Sequence, residues 1–325
     1  MGRLFRQYVK EGNRQLISCS GVKRLMGLAS LNLIGDNRME PGGIVAAAVL
    51  LEKMTSLRWL NLSRNYVGLD GTGALAAALP HLSCMASLNL SDNYIDAAGA
   101  AALAAALPHL PGLTSLDLSD NGLCADGAVA LAAALPQLPG LTSLNLSGNV
   151  FTVGASALVA ALPQLTTLEW LSLSDNTIGR NSSALVAALA TLPALVHLHV
   201  YMGTYDIKRE VDGRVEYHEF SDCPAMAEAL KQLVGLTSLD LSGSGMGEHG
   251  ACFLAAALPH LTALVSLDVS CNSMRDHGAC TLATALPHLT ALRSLNMQWS
   301  AIYRTGASVV RGALAQLPAF DSLII

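Results

Sequence analysis

The chain is 325 residues long, 52% hydrophobic but only 13% charged and 5% aromatic, with a formal charge of −5. Phosphate binding needs Lys and Arg clustered on one face, so this balance argues against nucleic acid as a partner. Seven cysteines without a CxxC pair cannot all pair within the chain, which points to reduced thiols rather than a disulfide framework or a Cys-rich metal site.

The first 25 residues stand apart. They hold six Lys or Arg (Arg3, Arg6, Lys10, Arg14, Lys23, Arg24) against Glu11, a surplus of +5 that leaves −10 for the remainder. Residues 1–27 are read as a basic cap, a degenerate repeat or a targeting segment. The opening MGRLFRQYVKEGNRQL has no apolar stretch before a small-residue cleavage site, and MGRLFR lacks the Ser or Thr of a myristoylation signal. With no uninterrupted apolar run of spanning length, the expectation is an intracellular, cytoplasmic chain with no membrane anchor.

From residue 28 onward one pattern, LxxLxLxxN, recurs. Repeats begin at Leu28, Leu57, Met85, Leu113, Leu141, Leu168, Leu195, Leu236, Leu264 and Leu292, with a truncated eleventh at Phe320. The intervals are 29, 28, 28, 28, 27, 27, 41, 28, 28 and 28 residues, so a single interval is broken. A segment such as LTSLDLSDN alternates like a strand, whereas GAVALAAALPQL places apolar residues at helical spacing. Gly99, Gly127, Gly154, Gly250, Gly278 and Gly306 precede the helical stretches, and Pro80, Pro108, Pro136, Pro163, Pro259 and Pro287 fall where those helices are expected to end.

One strand-turn-helix unit cannot bury its apolar face alone, so neighbours must stack with their strands parallel. The predicted fold is an α/β solenoid of about ten 28-residue repeats. Strands about 4.8 Å apart and helices about 8–10 Å apart predict a curved horseshoe with the sheet inside. Asn65, Asn93, Asn121, Asn149, Asn176 and Asn272 at the ninth place can donate to and accept from backbone groups of the turn, and are read as a structural ladder. The ladder breaks at Gly203, Ser244 and Ser300 and slips to Asn37 in the first repeat, where looser turns are expected.

These residues carry a family resemblance. LxxLxLxxN followed by GAxxLAxALP, near 28 residues per unit over 28–325, resembles the ribonuclease-inhibitor-like leucine-rich repeats, a group that includes ribonuclease inhibitor, NOD-like receptor repeat domains and the Ran GTPase-activating protein. The resemblance implies a non-enzymatic scaffold that recognises a protein partner, in a larger assembly or a longer chain, with no cofactor. A GTPase activator resembling the Ran regulator is the alternative.

Places three, five and seven of each repeat should line the inner sheet, mostly as Ser, Asn and Asp. Larger residues interrupt that background: Trp59 and Trp170 at the third place, His197, His199 and Tyr201 together in the seventh repeat, and Trp299 at an eighth place. Aromatics at partly exposed positions are characteristic of binding hot spots, and the competing reading is space-filling over small neighbours. The broken interval adds about thirteen residues. There Asp212-Gly213 between two alternating runs predicts a β-hairpin over 206–219 within an insertion at about 204–222, whose Lys208, Arg209 and Arg214 join the candidate partner-binding residues.

Other chemistry is disfavoured. Gly245, Gly247 and Gly250 spell GxGxxG, with Asp268 beyond, but the fingerprint needs a doubly wound sheet that the repeat does not supply. Cys252/Cys280 and His249/His277 recur at one repeat's spacing, too far apart for a disulfide or a shared metal. Ser, His and Asp abound on the inner face without a signal of a nucleophile, base and oxyanion site together. The triplets NLS at Asn61, Asn89 and Asn145 match glycosylation acceptors but fall on strands.

Overall fold

The computed structural model describes residues 26–35, 41–176, 182–201, 209–211, 214–216 and 223–325. Two compact units divide the chain, residues 1–167 and 168–325. Residues 1–25, Asn37, Gly203 and Lys208 lie outside the described part.

In the N-terminal unit, strands β1 (Ser30–Asn32), β2 (Trp59–Asn61), β3 (Ser87–Asn89), β4 (Ser115–Asp117) and β5 (Ser143–Asn145) follow one another in chain order. Adjacent strands are parallel and in register at the repeat spacing, as in Ser87↔Ser115 and Leu88↔Leu116. Helices α1 (Pro41–Leu51), α2 (Gly68–Ala78), α3 (Ala97–Ala106), α4 (Cys124–Ala134) and α5 (Ala155–Ala161) alternate with them.

The C-terminal unit repeats the plan. Its parallel strands are β6 (Trp170–Ser172), β7 (His197–His199), β10 (Ser238–Asp240), β11 (Ser266–Asp268), β12 (Ser294–Asn296) and β13 (Ser322–Ile324). Its helices are α6 (Ser182–Leu189), α7 (Cys223–Leu230), α8 (Gly247–Ala257), α9 (Arg275–Ala285) and α10 (Arg304–Leu314). Between β7 and α7, β8 (Arg209–Val211) and β9 (Arg214–Glu216) form a separate antiparallel pair. Val211 pairs with Arg214, so only two residues join the strands. Those two, Asp212 and Gly213, lie outside the described residues.

Each strand spans only the third to fifth places because the chain must turn soon after. The eighth place is left-handed in repeat after repeat: Arg64 (φ 58), Asp92 (φ 53), Asp120 (φ 53), Gly148 (φ 68), Asp175 (φ 56), Gly243 (φ 67), Cys271 (φ 57) and Trp299 (φ 59). Asp and Gly tolerate that region, and they fill it most often. At the other end of the repeat, proline does not stop the helix outright. Its fixed φ and missing N–H suit the start of a tighter helix, and LPH or LPQ adds a 3-10 turn after the α-helix, at Leu79–His81, Leu107–His109 and Leu135–Gln137 for example.

The core is a stack of leucines. Fourth-place Leu60, Leu88, Leu116 and Leu144 are at most 1% exposed, as are the helical Leu75, Leu103 and Leu131. Alanine on the helix faces keeps neighbouring helices close, and Gly127 extends this: a Cβ there would sit 2.9 Å from the Ala100 Cβ. Among the described residues no helix is long and apolar enough to cross a membrane.

Candidate functional site

The ninth-place asparagines hold the repeats to one another. Asn121 Nδ2 donates to the carbonyls of Leu118, Ser119 and, across the repeat boundary, Leu90, each at 3.0 Å. Its Oδ1 accepts from Asn93 N at 3.1 Å and Ile95 N at 2.9 Å. Asn65, Asn93, Asn149 and Asn272 each donate back to a leucine carbonyl one repeat earlier, and Asn176 donates to Leu173 and Ser174.

Of the breaks, the two that fall on described residues, Ser244 and Ser300, are not loose turns. Ser300 is 1% exposed, its hydroxyl donates to Val269 O at 3.1 Å, and it accepts from Asn272 N at 3.2 Å. Ser244 is equally buried, with its hydroxyl 3.5 Å from Val200 O. A shorter side chain that still carries one donor and one acceptor performs part of the asparagine's task.

On the strand face the Ser background is recessed. Seventh-place Ser63, Ser119, Ser174 and Ser270 are buried, and the hydroxyls of Ser91, Ser119 and Ser147 donate to their own repeat's fifth-place Asn or Asp. Trp59, on β2 of the N-terminal unit, and Trp170, on β6, are half-buried. In both strands the fifth-place residue two positions on is buried, Asn61 at 8% and Ser172 at 1%. Side chains two apart on a strand share a face, so each indole shelters a polar neighbour besides presenting surface.

The C-terminal unit brings four of the candidate residues together. Trp170 and His197 are register partners on adjacent strands, as are Ser172 and His199. His199 in turn faces Asp240 on β10. Its ring is held on both nitrogens: Nδ1 lies 3.3 Å from Ser172 Oγ, and Nε2 lies 3.0 Å from Asp240 Oδ2. Asp240 Oδ1 also accepts from Ser242 N at 2.8 Å. Tyr201 sits against Gly243, where a Cβ would come within 3.2 Å of the phenol ring. Glycine there lets the ring lie close to the next repeat.

Ser172, His199 and Asp240 have the composition of a nucleophilic triad, but the geometry does not serve one. Ser172 is 1% exposed, leaving no room for a substrate at its hydroxyl. The next backbone N–H, that of Leu173, which an oxyanion would need, is spent on His199 O at 3.0 Å. The array instead fixes one imidazole orientation in the middle of the wall.

The GxGxxG loop is likewise occupied by the repeat. Met246 N donates to Asn272 Oδ1 and Gly247 N to Asn272 O, so both donors point into the next repeat instead of toward a phosphate. Cys252 and Cys280 are not paired, and Cys252 Sγ lies 3.9 Å from Thr281 Oγ1. Among the described residues no group of three or more His, Cys, Asp or Glu is placed to hold a metal.

Trp299, at its left-handed eighth place, is 76% exposed, with Tyr303 beyond it at 70%. Arg209 and Arg214 are placed on the paired strands β8 and β9. Two prominent residues escape the pattern reading. Tyr66 and Tyr94 occupy the tenth place of successive repeats and stack, ring centroids 5.2 Å apart at 15° between planes. Their equal place in adjacent repeats was the available signal.

Residues 81–104 and 109–132 match the family described as Leucine Rich repeat. No curated protein matches the sequence. Among solved structures the chain is similar to an internalin (inlF) from Listeria monocytogenes, at 18% identity over 99% of this chain and 94% of that one, with a TM-score of 0.43. It is also similar to the TLR13 chain of a TLR13–ssRNA13 complex, at 18% identity and TM-score 0.49, spanning 94% of this chain but only 41% of the receptor chain. The matched stretches include β3, most of α3, β4 and most of α4, and the strand-turn-helix plan is the same in the repeats on either side. The chain thus contains stretches similar to leucine-rich repeats.

Proposed function

We propose that the chain holds a protein partner on the strand face of its C-terminal unit, at a patch formed by Trp170, His197, His199 and Tyr201. The observation that carries this reading is their concentration on adjoining strands β6 and β7 within a wall that is otherwise small and recessed. Trp and Tyr bury large areas at little rotamer cost, and the Ser172–His199–Asp240 array adds an imidazole that is already oriented before a partner arrives. Pre-ordering of this kind reduces the entropy lost on binding.

Arg209 and Arg214 of the β8–β9 hairpin, and Lys208, which lies outside the described residues, are proposed as further partner contacts, as are Trp59 and Trp299 separately. The ribonuclease-inhibitor-like subfamily and a cytoplasmic setting complete the reading. The repeat length supports the first, and the exposed unpaired thiols of Cys84, Cys124, Cys252 and Cys271 support the second.

A Trp170→Ala, Tyr201→Ala double variant tests the patch. Partner recovered from lysate by the wild-type chain should fall about tenfold or more with the variant, the usual effect of removing two hot-spot aromatics. Undiminished recovery by a variant with an unchanged circular-dichroism spectrum would remove the patch from consideration.

A further inference from the structure

Between Arg64 and Arg180 the sequence contains no Lys or Arg, yet it carries eight carboxylates. Five of these, Asp70, Asp92, Asp96, Asp120 and Asp126, are exposed and lie on the strand-to-helix turns and first helical turns of the N-terminal unit. The Tyr66–Tyr94 stack stands on the same turns. The turn side of these repeats is therefore acidic and aromatic, with the exposed Arg64 as the cation at its edge.

The tenth-place series reads Tyr66, Tyr94, Gly122, Val150 in four successive repeats. Tyr94 stacks on Tyr66 in one direction, and in the other the tenth place of the next repeat is Gly122, which has no side chain and whose backbone bridges Asp96. Tyr94 is 63% exposed and Val150 54%. Their rungs are two strand spacings apart, about 10 Å, and with no side chain at Gly122 on the rung between them this spacing leaves a gap for a side chain. Gly122 N itself is already satisfied, because it donates to Ile95 O at 2.8 Å. Both walls are also strained: Tyr94 (φ 57) and Val150 (φ 51) adopt a conformation that bulky and β-branched residues rarely accept.

We propose that this gap receives an arginine side chain from a basic segment of a protein partner. The guanidinium plane lies on the uncovered face of Tyr94, and the field of Asp92, Asp96 and Asp120 draws the segment in. Planarity is what selects arginine. A guanidinium stacks on an aromatic face and gains from its quadrupole, while an ammonium of equal charge is more strongly hydrated and has no plane to stack. The sign of this acidic side rejects a polyanion. The site is independent of the Trp170 patch and stands or falls by itself.

The test uses the full chain and a fluorescently labelled peptide, GSRRSRRSG, with GSKKSKKSG as its equally charged comparison, read by polarisation at low salt. The arginine peptide should bind the wild-type chain about fivefold or more tighter than the lysine peptide, and Gly122→Leu or Tyr94→Ala should each cut that binding about tenfold. A Cβ at Gly122 meets nothing nearer than Ile95 O at 3.5 Å, so the leucine fills the gap without straining the backbone. Tyr94→Ala, a change at an exposed side chain, carries the test if Gly122→Leu fails to fold. Asp268→Asn removes one charge from the other unit and should leave binding as it is. Equal binding of the two peptides, no binding to the wild-type chain, or full binding by a folded Tyr94→Ala would each overturn the proposal.

Discussion

Replacing Asn121 with alanine should remove more stability than any exposed substitution in the N-terminal unit. The amide makes five hydrogen bonds, donating to Leu90, Leu118 and Ser119 and accepting from Asn93 and Ile95. Alanine cancels all five and leaves two buried N–H groups with no acceptor. A buried polar group left unpaired costs roughly 1–3 kcal/mol. The two stranded donors together therefore imply a loss of about 3–5 kcal/mol, and the orphaned carbonyls keep the figure from the low end. For a unit of this size each kcal/mol moves the thermal midpoint about 2–4 °C, so the unfolding transition of the N-terminal unit should fall by about 10 °C or more. Ser300 supplies an internal standard, since its hydroxyl replaces one donor and one acceptor of the amide. Asn121→Ser should accordingly lose about half as much as Asn121→Ala. Circular-dichroism melts and urea titrations of the three chains decide the matter. A loss below about 1 kcal/mol for the alanine variant, within the range of an ordinary surface change, would refute the assignment of the ladder as the inter-repeat tie. Equal losses for serine and alanine would refute the partial replacement at Ser300.

Gly154→Ala should cost about 2–4 kcal/mol, since its Cβ would fall 2.3 Å from Ala125 O and 2.7 Å from Ala125 Cα, backbone atoms that cannot step aside; denaturant titration reads it, with Gly140→Ala, which meets nothing closer than 3.8 Å, as the tolerated control. Trp299→Asn should stabilise the C-terminal unit by about 0.5–1 kcal/mol, because an exposed indole on a left-handed backbone is replaced by a residue suited to that region; a lower melting midpoint would show that the indole packs usefully in the free protein. Ala227→Val should add about 1 kcal/mol by filling the apolar crevice that Met226, Leu230, Met246 and Phe253 line between α7 and α8; a crystal structure of the variant with the crevice still open would contradict this.

The repeat register was legible from residue types alone, because LxxLxLxxN sets both which residues share a face and which residues meet on neighbouring rungs. Trp170 beside His197 follows directly from their common third place. The same rule put His199 beside Asp240, although 41 residues separate them, once the insertion is discounted. The register could not show that the two side chains would meet at 3.0 Å or that Ser172 would complete the array, since those depend on rotamers and on the cover supplied by Trp170. The left-handed eighth place was hidden for another reason. Its occupants range from Gly148 to Arg64 and Trp299, so no residue type marks it. The conformation is imposed by the strand below and the ladder asparagine after it. Serine at the ladder position misled in the opposite direction, because loss of the amide suggested slackness where a buried hydroxyl keeps half of the bonds.

The asparagine ladder also bears on how such a chain can change length. Among the asparagine rungs, the amide donations of Asn65, Asn93, Asn121, Asn149 and Asn272 across a boundary all run to the same backbone carbonyl place one repeat earlier, so those hydrogen bonds contain no record of which repeat is which. Removing 28 residues between two equivalent positions brings the same donors to the same acceptors and leaves the seam without a scar. Length is thus free to drift in whole repeats, whereas a change of one or two residues meets the full resistance of the register. The 41-residue interval respects this constraint, since its additional residues emerge between β7 and α7 and the strands on either side still pair in step. A chain of this kind gains or loses area by counting, and new recognition surfaces arise where a turn can grow outward without disturbing the count.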